Sequence, residues 1–190
     1  MSKGRMTTKP HEASRHRIAV LGVTGAGKTT FISQATGRDD LEIGHSLASC
    51  TKDIKPYEMY LDGELVQLID TPGFDDTYQS DADILGLLAQ WLFANYLEGV
   101  LITGVILLHP VSANRIYGSE WSRLRLFEDI CGADAWSRAV IATTMWDEIS
   151  SYESGSVRVQ ERMSSPECWG EMHTELFQCY VGGSPSLYRY

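Results

Sequence analysis

Gly22-Val23-Thr24-Gly25-Ala26-Gly27-Lys28-Thr29 (GVTGAGKT) is the stretch that decides the fold. It satisfies the pattern GxxxxGK[ST]. Upstream, Arg17 to Gly22 (RIAVLG) is a short apolar run ending in glycine and reads as a buried strand. Downstream, Thr29 to Ala35 reads as a helix. Strand, glycine-rich loop and helix in that order give the pattern its chemistry. The glycines let backbone N–H groups close around phosphate oxygens, and the helix presents its positive N-terminus to them. Lys28 is spaced to reach β- and γ-phosphates, and Thr29 to ligate Mg2+ through its hydroxyl, with Thr30 beside it in the first helical turn. The expected phosphate-binding residues are therefore Gly22, Val23, Thr24, Gly25, Ala26, Gly27, Lys28, Thr29 and Thr30. A chance glycine-rich turn is the alternative, and the flanking elements argue against it.

Outward from the loop, Tyr57 to Leu61 and Leu65 to Ile69 read as two strands joined by Asp62-Gly63, a strong hairpin signal. The second strand runs into Asp70-Thr71-Pro72-Gly73. An acidic residue at that strand end can hold Mg2+ directly or through water. Gly73 lets its N–H approach a γ-phosphate closely. DTPG alone is an ordinary turn; its place after the phosphate loop makes it specific. Between the two motifs lies Ser49-Cys50-Thr51-Lys52, in a loop expected over Asp40 to Lys52. Thr51 is the candidate for a second hydroxyl on Mg2+, with a solvated loop threonine as the competing reading.

Asp81 to Leu97 is expected to be helical, with Ser80 or Asp81 capping its start and Ile84, Leu87, Leu88, Trp91, Leu92 and Leu97 on its apolar stripe. Ile102 to His109 reads as a buried strand, Glu120 to Cys131 as a helix, and Ala139 to Thr143 as a strand. Trp169, Met172, Leu176 and Tyr180 mark a last helix, and such aromatic stripes read as core. The run Leu85 to Leu108 raises a membrane question, but Gln90, Asn95, Glu98, Gly99 and Gly104 interrupt it, so it splits into helix and strand. Alternating strands and helices around one hairpin imply a three-layer α/β domain, mostly parallel with one antiparallel hairpin strand. Ligands on such a sheet bind at the carboxyl ends of its strands.

One such end is Thr143-Thr144-Met145-Trp146-Asp147. A GTP-binding domain usually has [NT]KxD here, with the Asp accepting two hydrogen bonds from guanine. Thr144 and Asp147 are the candidate base contacts, and Met145 replaces the lysine whose stem packs on the base. Methionine can pack on a purine but offers no ammonium. Guanine is the expected base; the alternative is that Asp147 only caps the next segment.

Composition sets the bounds. The 190 residues suit one domain, and 43% hydrophobic with 22% charged residues suits a globular protein. A net charge of -9 argues against nucleic acid as the main partner. The four cysteines, Cys50, Cys131, Cys168 and Cys179, form no CxxC pair, so zinc spacing is absent and a reducing, cytoplasmic setting is expected. Residues 1–16 read as a flexible tail, 17–180 as the nucleotide domain and 181–190 as a C-terminal tail. No anchor motif is visible.

Together, GVTGAGKTTFI, GHSLASCT, LIDTPGFDDT and TTMWDE resemble the translation-factor-like, septin-type GTPases. The nearest group holds the immunity-associated GTPases and the plant chloroplast import-receptor GTPases, with fungal G-domain proteins similar in wording. The resemblance covers about Arg17 to Ile149. It implies GTP/GDP and Mg2+ as cofactors, metal contacts from Thr29, Thr51 and Asp70, and Lys28, Thr51 and Gly73 as the catalytic set, with switch regions around Thr51 and after Gly73. Phe74 stands where Ras-like enzymes place a water-orienting glutamine, so slow hydrolysis of GTP to GDP and phosphate is expected. The resemblance also implies a homodimer across the nucleotide face, with an arginine after the fourth strand; that strand ends at His109-Pro110, and Arg115 is the nearest candidate. His109 itself reads as a structural or switch-contact histidine rather than a catalytic base. A sixth strand, a SAK-type guanine loop and a final helix are not found in Cys179 to Tyr190. The rival readings are a non-hydrolysing, nucleotide-gated interaction module and a P-loop ATPase or kinase.

Overall fold

A computed structural model describes residues 16–41, 53–74, 80–97, 101–113, 138–165, 169, 178–181 and 187–189. Along the chain run β1 (His16–Gly22), α1 (Lys28–Thr36), β2 (Lys55–Leu61), β3 (Glu64–Asp70), α2 (Asp81–Leu97), β4 (Gly104–Pro110), β5 (Ala139–Thr144), α3 (Tyr152–Ser164), β6 (Gln178–Val181) and β7 (Leu187–Arg189). Among these residues the strands form one seven-stranded sheet in the order β2-β3-β1-β4-β5-β6-β7.

The alternation of side chains along the central strands builds two cores. On one face, Val20, Leu108 and Ala142 meet Ile32 of α1. On the other, Leu21, Leu107 and Ile141 meet Ile84, Leu85 and Leu88 of α2 and Val159 of α3. Successive residues such as Val20 and Leu21 therefore face opposite layers, the arrangement that makes a strand read as a continuous apolar run. The three-layer α/β expectation holds. β1, β3, β4, β5 and β6 run parallel, and β2 pairs antiparallel with β3. The hairpin turn places Asp62 at φ 52 and Gly63 at φ 85, the two left-handed positions of a type I′ turn.

Three expectations are corrected. A sixth strand exists: β6 pairs parallel with β5, through Ala142↔Tyr180 and Thr143↔Val181. Residues expected as a C-terminal tail supply β7, which pairs antiparallel with β6 and adds a second antiparallel pair. At four and three residues, these strands are too short for an alternation to register. The expected last helix fails at its end, since Tyr180 lies in β6; residues 170–177 lie outside the described residues. A helix not expected from hydrophobic spacing, α3, instead follows β5. Its buried residues are Gly155, Val159 and Arg162, a face too small and too polar to show an apolar stripe. The helix expected over Glu120 to Cys131, the tail before His16, the loop containing Thr51, and Arg115 lie outside the described residues.

Candidate functional site

The carboxyl ends of β1, β3 and β5 converge on the loop between β1 and α1. Gly25 and Gly27 take φ +81 and +87, left-handed angles that let the chain curl into a phosphate-sized cradle before α1 begins. Lys28, 7% exposed, sends its ammonium back over the loop, where Nζ donates to the carbonyls of Gly22 at 3.1 Å and Val23 at 3.0 Å. Thr29 Oγ1 donates to Asp70 Oδ2 at 3.0 Å. A hydroxyl and a carboxylate at that spacing are hard oxygen donors of the type Mg2+ prefers. Asp70 is held in place because the next residue, Thr71, donates its buried hydroxyl to the Val20 carbonyl at 2.7 Å.

Gly73 is required by contact. A Cβ there would come within 2.5 Å of Thr24 Oγ1 and 2.7 Å of the Thr24 backbone nitrogen. The two motifs are also stitched together. Thr24 N–H donates to the Phe74 carbonyl at 2.7 Å and Phe74 N–H donates to the Gly22 carbonyl at 3.1 Å. Phe74 itself is buried among Leu21, Ile84, Leu85 and Leu88, side chain inward.

The base end is organised by three ties. Thr144 Oγ1 donates to the Ala26 carbonyl at 2.9 Å, joining β5 to the phosphate loop. Met145 then takes the left-handed φ 58 and packs its methyl toward Gly27, 3.7 Å from where a Cβ there would stand. Trp146, in a short 3-10 turn with Asp147, donates its indole N–H to Thr143 Oγ1 at 3.0 Å and stacks on Tyr152 at 5.0 Å. The turn fits because Gly155 is bare: a Cβ there would come 2.6 Å from Trp146 Cζ3. Asp147, in the same turn, is left exposed. The residues present therefore fit a nucleoside phosphate and a divalent cation: a curled amide loop with a buried ammonium, a hydroxyl–carboxylate pair, and an exposed carboxylate in the turn after β5.

One feature escaped the sequence. From α3, Arg158 Nη1 donates to the Val111 carbonyl at 3.2 Å, and Arg162 Nη2 to the Ala113 carbonyl, so two guanidinium groups hold the chain leaving β4. Only their four-residue helical spacing hinted at a shared face. His109, 3% exposed, meets Trp169 edge to face at 5.0 Å, which bears out its structural reading and the core reading of Trp169.

The sequence model of the 50S ribosome-binding GTPase family matches residues 17–113. GTP-binding protein A of Dictyostelium discoideum is 28% identical over 127 residues, which is 67% of this chain but only 27% of that protein. The tRNA modification GTPase MnmE of Agrobacterium fabrum is 34% identical over 61 residues, 32% of this chain and 14% of that one. The chain thus spans well under a third of these curated relatives. Toc33 from Arabidopsis thaliana, solved with Mg2+ and GMPPNP, superposes with TM-score 0.66 at 14% identity, covering 91% of this chain and 73% of that one. Aquifex aeolicus Era bound to GDP·AlF4− gives TM-score 0.61 at 14% identity, covering 88% and 50%. At such identities the likeness is one of fold.

Proposed function

The chain belongs to the 50S ribosome-binding GTPase family, and from that premise we propose that it is a GTP-binding switch domain that hydrolyses GTP slowly to GDP. The observation that carries the proposal is the convergence of Lys28, the Thr29–Asp70 pair and Gly73 on one loop. Lys28 offsets phosphate charge, and its buried setting strengthens that interaction. Thr29 and Asp70 hold Mg2+, with Thr51 proposed as a further ligand. The bound cation supplies charge neutralisation across the phosphate oxygens. Gly73 brings a bare backbone up to the same loop. Asp147 selects guanine, and Met145 supplies the packing of the usual lysine stem without its charge.

The finer grouping with immunity-associated and chloroplast import-receptor GTPases is proposed on the motif wording. So is a homodimer across the nucleotide face, with Arg115 as candidate partner to the other subunit's nucleotide. Dimerisation is described as important for the GTPase activity of the chloroplast translocon components, and the same dependence is proposed here. The cysteine pattern supports a cytoplasmic setting. Among the described residues no helix is long and apolar enough to cross a membrane.

The test is calorimetry with GTP, GDP and ATP in the presence of Mg2+, followed by turnover measured against protein concentration. GTP and GDP bind and ATP does not. Lys28→Ala weakens GTP by about 1.5–3 kcal/mol, the worth of a charge-assisted contact. Specific activity rises with concentration. Equal GTP affinity in the lysine variant overturns the pocket assignment; fast turnover unchanged on dilution to a monomer overturns the dimer.

A further inference from the structure

Asp147 rides on a turn of three residues, Trp146–Glu148, between β5 and α3. Met145, just before it, carries a thioether and cannot tie the turn down with a charge-assisted bond. An exposed carboxylate on so short a turn discriminates sharply between bases only when the turn is held in place. Trp146 is what holds it. Its indole N–H donates to Thr143 Oγ1 at 3.0 Å, and Thr143 is buried in β5.

Two residues of α3 supply the other half of the grip. Tyr152 stacks on the Trp146 ring at 5.0 Å, with the planes 27° apart. Gly155 gives the same ring room, since an added Cβ would come 2.6 Å from Cζ3 and 3.1 Å from Cε3. Residues three apart on a helix share a face, so the stack and the gap lie side by side. Glycine inside a helix is unfavourable, and Gly155 takes no left-handed angle that would call for it. Contact with Trp146 is the reason it is bare. Core filling does not explain Tyr152 either, because it is 56% exposed. The helix itself is anchored: Ser151 caps its start, Val159 enters the core, and Arg158 and Arg162 bind the chain after β4. Trp146 is therefore gripped between a buried strand and a fixed helix.

Resting on the nucleotide reading above, we propose that Tyr152 and Gly155 are positioning residues for base selection. They act through Trp146 and hold the adjoining Asp147 where guanine's ring N–H and amino group will meet it. A carboxylate held in place loses a partner when the base lacks the amino group, so the wrong base is penalised. A carboxylate on a loosened turn swings away, and the penalty shrinks. Neither residue touches the base.

The test uses the full chain with Mg2+ and calorimetric affinities for GDP and IDP, whose base is guanine without the amino group. Wild type prefers GDP by about tenfold or more, the size of one charge-assisted bond. Tyr152→Ala and Gly155→Ala lower that preference to about threefold or less, and Tyr152→Phe, which keeps the stack, retains it. Tyr152 is exposed, so its truncation reads the proposal even if Gly155→Ala does not fold. An unchanged GDP-to-IDP ratio in Tyr152→Ala overturns the inference, whether the two affinities are both unaltered or both fall in parallel as a merely structural role requires. Wild type that binds neither nucleotide overturns the nucleotide reading itself, an outcome distinct from a wild-type preference for GDP that is indifferent to Tyr152.

Discussion

Met145 shows how one residue can depart from a motif and still preserve part of its geometry. It stands where the motif has lysine, on a left-handed backbone at φ 58 that few non-glycine residues adopt. That backbone turns the side chain toward Gly27, and Asp147, two residues on, is exposed. The thioether keeps the apolar contact of a lysine stem and omits the ammonium. On the proposed reading, base selection falls mainly on Asp147. Asp147→Asn is expected to weaken GTP by about tenfold or more, since a charge-assisted pair is lost. The same change is expected to strengthen XTP, because an amide can donate to the carbonyl that xanthine presents. Competition binding among GTP, XTP and ATP checks this, and wild type that accepts ATP as readily as GTP would sink the guanine assignment.

The helix that carries the second core begins with a reciprocal cap. Ser80 Oγ accepts from the Asp83 N–H at 3.2 Å, while Asp83 Oδ2 accepts from the Ser80 hydroxyl at 2.6 Å and the Ser80 N–H at 3.2 Å. Those bonds hold the Asp83 carboxyl below its ordinary value, with the Ser80 hydroxyl the leading cause. A lowered folded value means the stabilisation is present above the unfolded value and is lost as pH falls through the folded one. Ser80→Ala is therefore expected to destabilise the protein near neutral pH, and to do so less as acid protonates Asp83. Urea midpoints of the two proteins at about pH 7 and about pH 3 measure it; a gap that widens in acid contradicts the argument. The partner Asp83 was not named, whereas Ser80 as a cap was legible because capping is local. So were α1, α2, the Asp62-Gly63 hairpin and the two phosphate-site motifs, each set by neighbours in sequence. α3 was not legible, because its inner face is Gly155, Val159 and a buried arginine, chosen to admit Trp146 and to reach the chain after β4. β6 and β7 owe their form to pairing at the sheet edge, which leaves no trace in residue spacing.

Across the whole molecule, the segment after β3 is bound both to the nucleotide site and to the core. The Phe74 backbone bridges to the phosphate loop, and its side chain, 5% exposed, sits between the central strands and α2. A change at the loop is thereby tied to the packing of a helix, the coupling a switch domain needs. It also bears on the missing glutamine. In this fold position 74 points inward, so a polar side chain placed there would enter the core and not reach a water at the phosphate site. Phe74→Gln is accordingly expected to leave hydrolysis slow and to destabilise the domain. The lost aromatic burial contributes about 1.5–3 kcal/mol and the buried amide about 1–3 kcal/mol more, together about 2.5–6 kcal/mol. Phe74→Leu retains an apolar filler and loses less, because a smaller gap remains. Urea denaturation of the three proteins, paired with single-turnover hydrolysis at a temperature where all remain folded, separates the two effects. Faster hydrolysis in Phe74→Gln at unchanged stability would mean that residue 74 turns outward when nucleotide is bound, and that the absent glutamine alone limits the rate.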